Sequence, residues 1–215
     1  MKAIMGYNVC KSLAIYEGLA HNMSPPNYNT LYEITEGQAG YFTARQAGEA
    51  GYSWERLSYY AKTGRFQRVS HGIYRLVHFP SSPFEDLYIS WLRTGLDSVI
   101  SHESALSIYD LSDIIPSEIH ITVPRTASRR RRGIRLHTNR LKPEDVTWRE
   151  GLKVTTVPRT IADVAATGLA KEFVHQAIQQ AIQRGLTDRD ALLEMASRRG
   201  GRPSRLIAEA LAEER

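Results

Sequence analysis

Three side chains set three residues apart, Arg56, Tyr59 and Lys62, offer a guanidinium, a phenol and an ammonium. On a helix they lie towards one face, while Leu57, Tyr60 and Ala61 fall on the other. Such a face suits nucleic acid: arginine can grip guanine O6 and N7 together, and lysine or tyrosine can hold phosphate oxygens. An ordinary solvated helix face is the plainer reading. Arg65, Arg68 and His71 add donors just beyond it. Thr43 and Arg45 stand at an earlier helix start, where outward backbone amides could hold a phosphate. Ser53 joins this candidate set, although a plain helix cap is the commoner role for such a serine.

The elements that must position these groups can be read locally. Thr43-Ala44-Arg45-Gln46 is a capping box, so a helix opens at Ala44 and Gly51 ends it. Ser53 caps a second helix running to Thr63, with Glu55 near its positive end and Gly64 just beyond its other end. Trp54 is expected to close the core. Leu31 and Ile34 mark an earlier short helix that stops near Gly37 and Gly40. Residues 65–69 and 73–76 alternate as strands around the tip Ser70-His71-Gly72. Helix, tight turn, helix and hairpin together predict a winged helix-turn-helix over residues 30–80.

Pro80 and Pro83 break the chain there. Phe84, Leu87, Tyr88 and Trp91 then repeat at helical spacing, which predicts a linker helix within 81–98. Residues 99–215 read as a small mixed α/β domain, giving a mixed α+β and α/β chain overall. Its expected elements are a helix over 102–109 capped by Ser101, strands at 119–123 and 134–136, and a third strand at 153–157. A helix from Pro158 to 166 and helices at 173–183 and 188–197 follow. The strands at 119–123 and 134–136 are expected to form a hairpin with Arg129, Arg130, Arg131 and Arg132 at its tip. Residues 1–29, ending in Ser24-Pro25-Pro26-Asn27, read as a loose arm, and Met23 is a second candidate start.

Charge is distributed in islands. The net charge is +5, yet residues 41–80 hold six Lys/Arg against two acids and residues 125–142 hold eight against none. Phosphate-rich ligands respond to such local fields rather than to the total. For the arginine run three readings stay open: a solvated loop, a DNA backbone contact, or a dock for an acidic partner. Gly201-Arg202-Pro203 resembles a minor-groove hook, and a Gly-Gly-x-Pro turn between helices explains the same residues.

The inventory excludes several classes. A single cysteine, Cys10, allows no internal disulfide and no cysteine-rich zinc module. No stretch approaches the roughly 20 apolar residues of a membrane helix, and no signal peptide is evident, so a cytoplasmic protein is expected. No phosphate loop, dinucleotide fingerprint, nucleophile elbow or paired-histidine zinc motif occurs, so no enzyme and no cofactor are expected. His102, Glu103 and Ser104 could be imagined as base and nucleophile, but a helix first turn is a simpler home. His120 and His137 stand on candidate paired strands and could share a metal, but no metal is expected.

The succession of short stretches resembles the AbiEi-type antitoxins of bacterial abortive-infection toxin–antitoxin systems, which serve phage defence. The stretches are Tyr41-Phe42-Thr43-Ala44-Arg45-Gln46-Ala47, Gly64-Arg65-Phe66-Gln67-Arg68-Val69, Gly72-Ile73-Tyr74-Arg75-Leu76, Ile100-Ser101-His102-Glu103-Ser104-Ala105-Leu106, Ile119-His120-Ile121-Thr122-Val123-Pro124 and Val157-Pro158-Arg159-Thr160-Ile161-Ala162-Asp163. The likeness spans about residues 30–200. It implies an N-terminal winged helix that binds double-stranded operator DNA and represses its own operon. It also implies a C-terminal domain that counters a nucleotidyltransferase-like toxin, in a protein that is not itself an enzyme. Some relatives carry an endonuclease-like segment, but the P-D…[DE]-x-K arrangement of a nuclease does not occur here.

Overall fold

The computed structural model describes residues 25–127 and 131–213, which form two units divided between Phe79 and Pro80. In the first unit, Asn27 starts helix α1 (Tyr28–Glu36). Its side-chain oxygen accepts the amides of Asn29 and Thr30, two donors that a helix start leaves open. Thr43 starts α2 (Ala44–Glu49) with the expected reciprocal pair. Its Oγ1 accepts the Gln46 amide at 3.2 Å, and Gln46 Oε1 accepts the Thr43 amide at 2.9 Å. Gly51, at φ 82°, takes the left-handed conformation the turn requires. Ser53 then caps α3 (Trp54–Lys62) by accepting the Arg56 amide at 3.3 Å.

A hairpin of β2 (Phe66–Ser70) and β3 (Ile73–Leu76) follows, as expected. A further strand that the sequence reading missed, β1 (Tyr41–Thr43), pairs antiparallel with β3, so the sheet order is β1-β3-β2. Leu31, Phe42, Leu57, Phe66, Tyr74 and Leu76 fill the core between helices and sheet. Phe42 meets Phe66 edge-on at 5.2 Å and stacks on Tyr74 at 5.8 Å. Each such side chain contributes about 1.5–3 kcal/mol by leaving water.

Gly40 is the tightest point of this unit. At φ 83°, a Cβ added there would lie 2.5 Å from Phe79 Cβ. Gly40→Ala should therefore destabilise the unit by about 1–2 kcal/mol, from left-handed strain and crowding combined. A lowered urea midpoint at unchanged slope would show it. An unchanged midpoint would mean that the turn relaxes to another backbone conformation.

In the second unit, the helix expected as a linker, α4 (Glu85–Thr94), is part of the unit's own packing. Trp91 is 2% exposed and donates its indole N–H to the Ser98 carbonyl at 3.0 Å, and the Tyr88 hydroxyl donates to the Glu150 carbonyl. Then come β4 (Val99–Ile100), α5 (His102–Tyr109), β5 (Ile119–Thr122), β6 (Ile134–His137), β7 (Val146–Arg149) and β8 (Leu152–Thr155). The unit closes with helices α6 (Val157–Thr167), α7 (Lys171–Gln183), α8 (Arg189–Arg199) and α9 (Gly201–Glu213). The sheet runs β6-β5-β4-β8-β7. Ile100, Ile121, Leu152 and Val154 are fully buried on it, and α9 packs against α6, α7 and α8.

The structure departs from the sequence expectation at the β5–β6 pair and at Ser101. The strands β5 and β6 run parallel, with Ile119 beside Ile134 and Ile121 beside Leu136, so they are not a hairpin. Parallel partners require the chain to travel back before re-entering the sheet, which a tight turn cannot do. The crossover from β5 to β6 includes a short 3-10 turn, Arg125–Ala127, and among its described residues Arg131 and Arg132 precede β6 rather than standing at the tip of a β5–β6 hairpin. Ser101 does precede α5, but its hydroxyl caps no helix amide. It sits 2.9 Å from His102 Nδ1 and accepts the Thr122 hydroxyl at 2.8 Å.

Candidate nucleic-acid interface

Helix α3 divides as its spacing predicts. Leu57 is buried at 1% exposure, whereas Arg56, Tyr59 and Lys62 face solvent, Tyr59 at 62%. Trp54, expected to close the core, is 56% exposed instead. Leu57 and the aromatic rings of Tyr52 and Phe66 already fill that space. Trp54, Ser58 and Lys62 meet Arg68 of β2 around a hollow of about 260 Å³. At the hairpin tip Arg68 Nη2 lies 3.5 Å from His71 Nδ1. Helix α3 and the hairpin thus present cations and exposed aromatic rings side by side.

The other candidates of this unit are placed differently. Arg65 leans over the Tyr60 ring, its guanidinium carbon 5.4 Å from the centroid. It borders a separate hollow with Tyr28, Tyr52 and His78. Thr43 and Ser53 use their side-chain oxygens as helix caps. Arg45 is exposed and pairs at 3.4 Å with Glu49, one turn along. The carboxyl of Glu55 is held below the usual range by its own backbone amide and by the Ser53 hydroxyl.

In the second unit Arg129 and Arg130 lie outside the described residues, Arg131 is half-buried and Arg132 is exposed. The same basic island borders a hollow of about 890 Å³ through Arg125, Arg140 and Lys142. Arg198 and Arg199 are committed inwards, to a buried network centred on Arg159. Arg159 bridges Asp145 Oδ2 at 2.8 Å and Asp163 Oδ2 at 2.9 Å. Arg198 reaches Asp145 at 2.7 Å and Arg199 reaches Asp163 at 3.1 Å. Burial raises the carboxyl of Asp145, but the Lys142 amide and the two guanidinia outweigh it and hold that group low. For Asp163 burial wins, and the carboxyl sits above its ordinary value. Arg202 donates to the Ala165 and Leu169 carbonyls, so Gly201-Arg202-Pro203 is the opening turn of α9 rather than a minor-groove hook.

A second cluster joins three histidines that lie far apart in sequence. The rings of His102 and His137 stack at 3.5 Å between centroids, and His137 Nε2 lies 3.4 Å from His120 Nδ1. Burial lowers all three: His102 to about 2 and His137 to about 4, with neighbouring imidazoles adding to the effect at both. His120 also falls, although Glu103, 3.7 Å from its Nε2, pulls the other way. Ser104 is not a free nucleophile, because its oxygen accepts the His120 amide at 2.8 Å.

The family model described as "Transcriptional regulator, AbiEi antitoxin" matches residues 29–77. No curated protein matches the chain. Among solved structures, the RV2827C protein from Mycobacterium tuberculosis superposes with a TM-score of 0.50 at 15% identity, over 89% of this chain and 78% of that one. At that identity the likeness is one of fold alone. The segment from α1 through β3, which carries the outward face of α3, is thus the part of this chain that matches the AbiEi antitoxin regulators.

Proposed function

We propose that this chain is a DNA-binding transcriptional repressor and the antitoxin of an AbiE-like system. Its first unit is then a winged helix-turn-helix, with α2 as supporting helix, α3 in the major groove and the β2–β3 hairpin as wing. The second unit engages a nucleotidyltransferase-like toxin, with the basic crossover as part of that surface, and the protein works in the cytoplasm by binding rather than by catalysis. One observation carries the DNA reading: Trp54, Arg56, Tyr59 and Lys62 are exposed on α3 beside Arg68, inside the segment that matches the family of regulators. Among the described residues no helix is long and apolar enough to cross a membrane.

Duplex DNA from the protein's own promoter provides the test. Four or more phosphate contacts should weaken binding by about 100-fold as salt rises from ~50 to ~200 mM, through counterion release. A flat salt response would refute DNA binding. Rescue of cells expressing the neighbouring toxin gene tests the second half of the proposal separately.

A further inference from the structure

We propose that His102, His120 and His137 form a binding site for one divalent transition-metal ion of the zinc class, in the second unit and independent of the DNA reading. One nitrogen from each ring lies within 4.8 Å of the other two. His120 Nδ1 and His137 Nε2 are 3.4 Å apart, close to the edge of a tetrahedron built with metal–nitrogen bonds of about 2.0–2.1 Å. His102 is fully buried, and its Nε2 has no hydrogen-bond partner among the described residues. A buried polar atom left open in this way needs an explanation, and beside two other imidazole nitrogens a bound ion supplies one.

The surroundings are those of oriented ligands. Nδ1 of His102 lies 2.9 Å from Ser101 Oγ, and in the tautomer that donates there Nε2 presents its lone pair. Nε2 of His120 faces Glu103 at 3.7 Å, which leaves Nδ1 turned towards His137. His102 and His120 thus each have a hydroxyl or carboxylate behind them, the kind of partner that fixes the tautomer and orientation of a ligating imidazole. The backbone of His102 is also strained: its φ of 53° lies in the left-handed region that a residue with a Cβ avoids, and it is held there inside the fold. Imidazole ligands select zinc, copper, nickel or iron over magnesium or calcium. Three protein ligands leave a fourth position for solvent. The stacked His102 and His137 rings cannot both aim their lone pairs at one ion as they stand, so binding requires the half-buried His137, on the edge strand β6, to turn out of the stack while its Nε2 stays near His120 Nδ1. The ion would tie α5, β5 and β6 together.

The test uses the full chain, stripped with a chelator and titrated with zinc against a chromophoric competitor. One equivalent per chain should bind, and the unfolding temperature should rise with zinc concentration by mass action. His137→Gln should weaken uptake at least tenfold and abolish the visible ligand-field bands of the cobalt-loaded protein, while the exposed His78→Gln should leave both unchanged. Wild-type protein gives a readout that needs no variant to fold: zinc should shift the imidazole NMR signals of three of the seven histidines. Substoichiometric uptake, uptake indifferent to His137→Gln in a folded variant, or zinc-induced shifts at other histidines would each overturn the proposal.

Discussion

Replacing Arg159 with alanine should cost the second unit about 3 kcal/mol, the lower end of the range for removing one partner of a buried ion pair. The guanidinium bridges two carboxylates, Asp145 and Asp163, with its own side chain 3% exposed and theirs 1% and 0% exposed. Removing it leaves both carboxylates in a medium that solvates charge poorly. Arg198 and Arg199 still reach them from α8, which is why the loss should stay near the bottom of the range. Arg159→Lys should fall between wild type and alanine, because an ammonium lacks the planar fork that serves two carboxylates at once. Urea unfolding in a Trp54→Phe background leaves Trp91 and Trp148, both in the second unit, as fluorescence reporters. A loss below about 1 kcal/mol, the range of surface pairs, would show that solvent screens the network.

What could be read from the sequence was local, and what could not was topological. Thr43 and Gln46 announce α2, and Ser53 announces α3, because a cap is a contact across three residues. The outward face of α3 follows from helical spacing, so Arg56, Tyr59 and Lys62 were legible. Trp54 was not, since its exposure depends on whether Tyr52, Leu57 and Phe66 already fill the core. Strand β1 is three residues long and too short for alternation to register. Strand β7 sets Trp148 outwards at 61% exposure, which blurs its pattern. The direction of β5 against β6 is fixed by the sheet as a whole, because β5 is antiparallel to β4 on its other side. His120 and His137 were legible as a pair on strands expected to be neighbours, but the third histidine was hidden for the same reason: α5 brings His102 to them only once that sheet has formed. No spacing motif encodes such a meeting.

Arg56→Ala should weaken binding to the operator by about 1–3 kcal/mol and relax discrimination between operator and random sequence, the signature of a lost base contact. The reason is position on the helix. Arg56 follows the Ser53 cap by three residues and is exposed, in the part of a recognition helix that reaches base edges. Lys62 ends the same helix and sits beside Arg68 around the hollow between α3 and the hairpin, where phosphates are the nearer target. Lys62→Ala should accordingly weaken cognate and random DNA alike and reduce the salt slope by about one unit. Neither side chain contributes to the core, so both variants should unfold as the wild type does, and lost binding cannot be charged to lost folding. Titrating both against operator and scrambled duplexes at one fixed salt concentration separates the two roles. If Arg56→Ala leaves the operator-to-scrambled ratio untouched, α3 is not the reader. Specificity then passes to the hairpin, where Arg68 and His71 stand together at its tip.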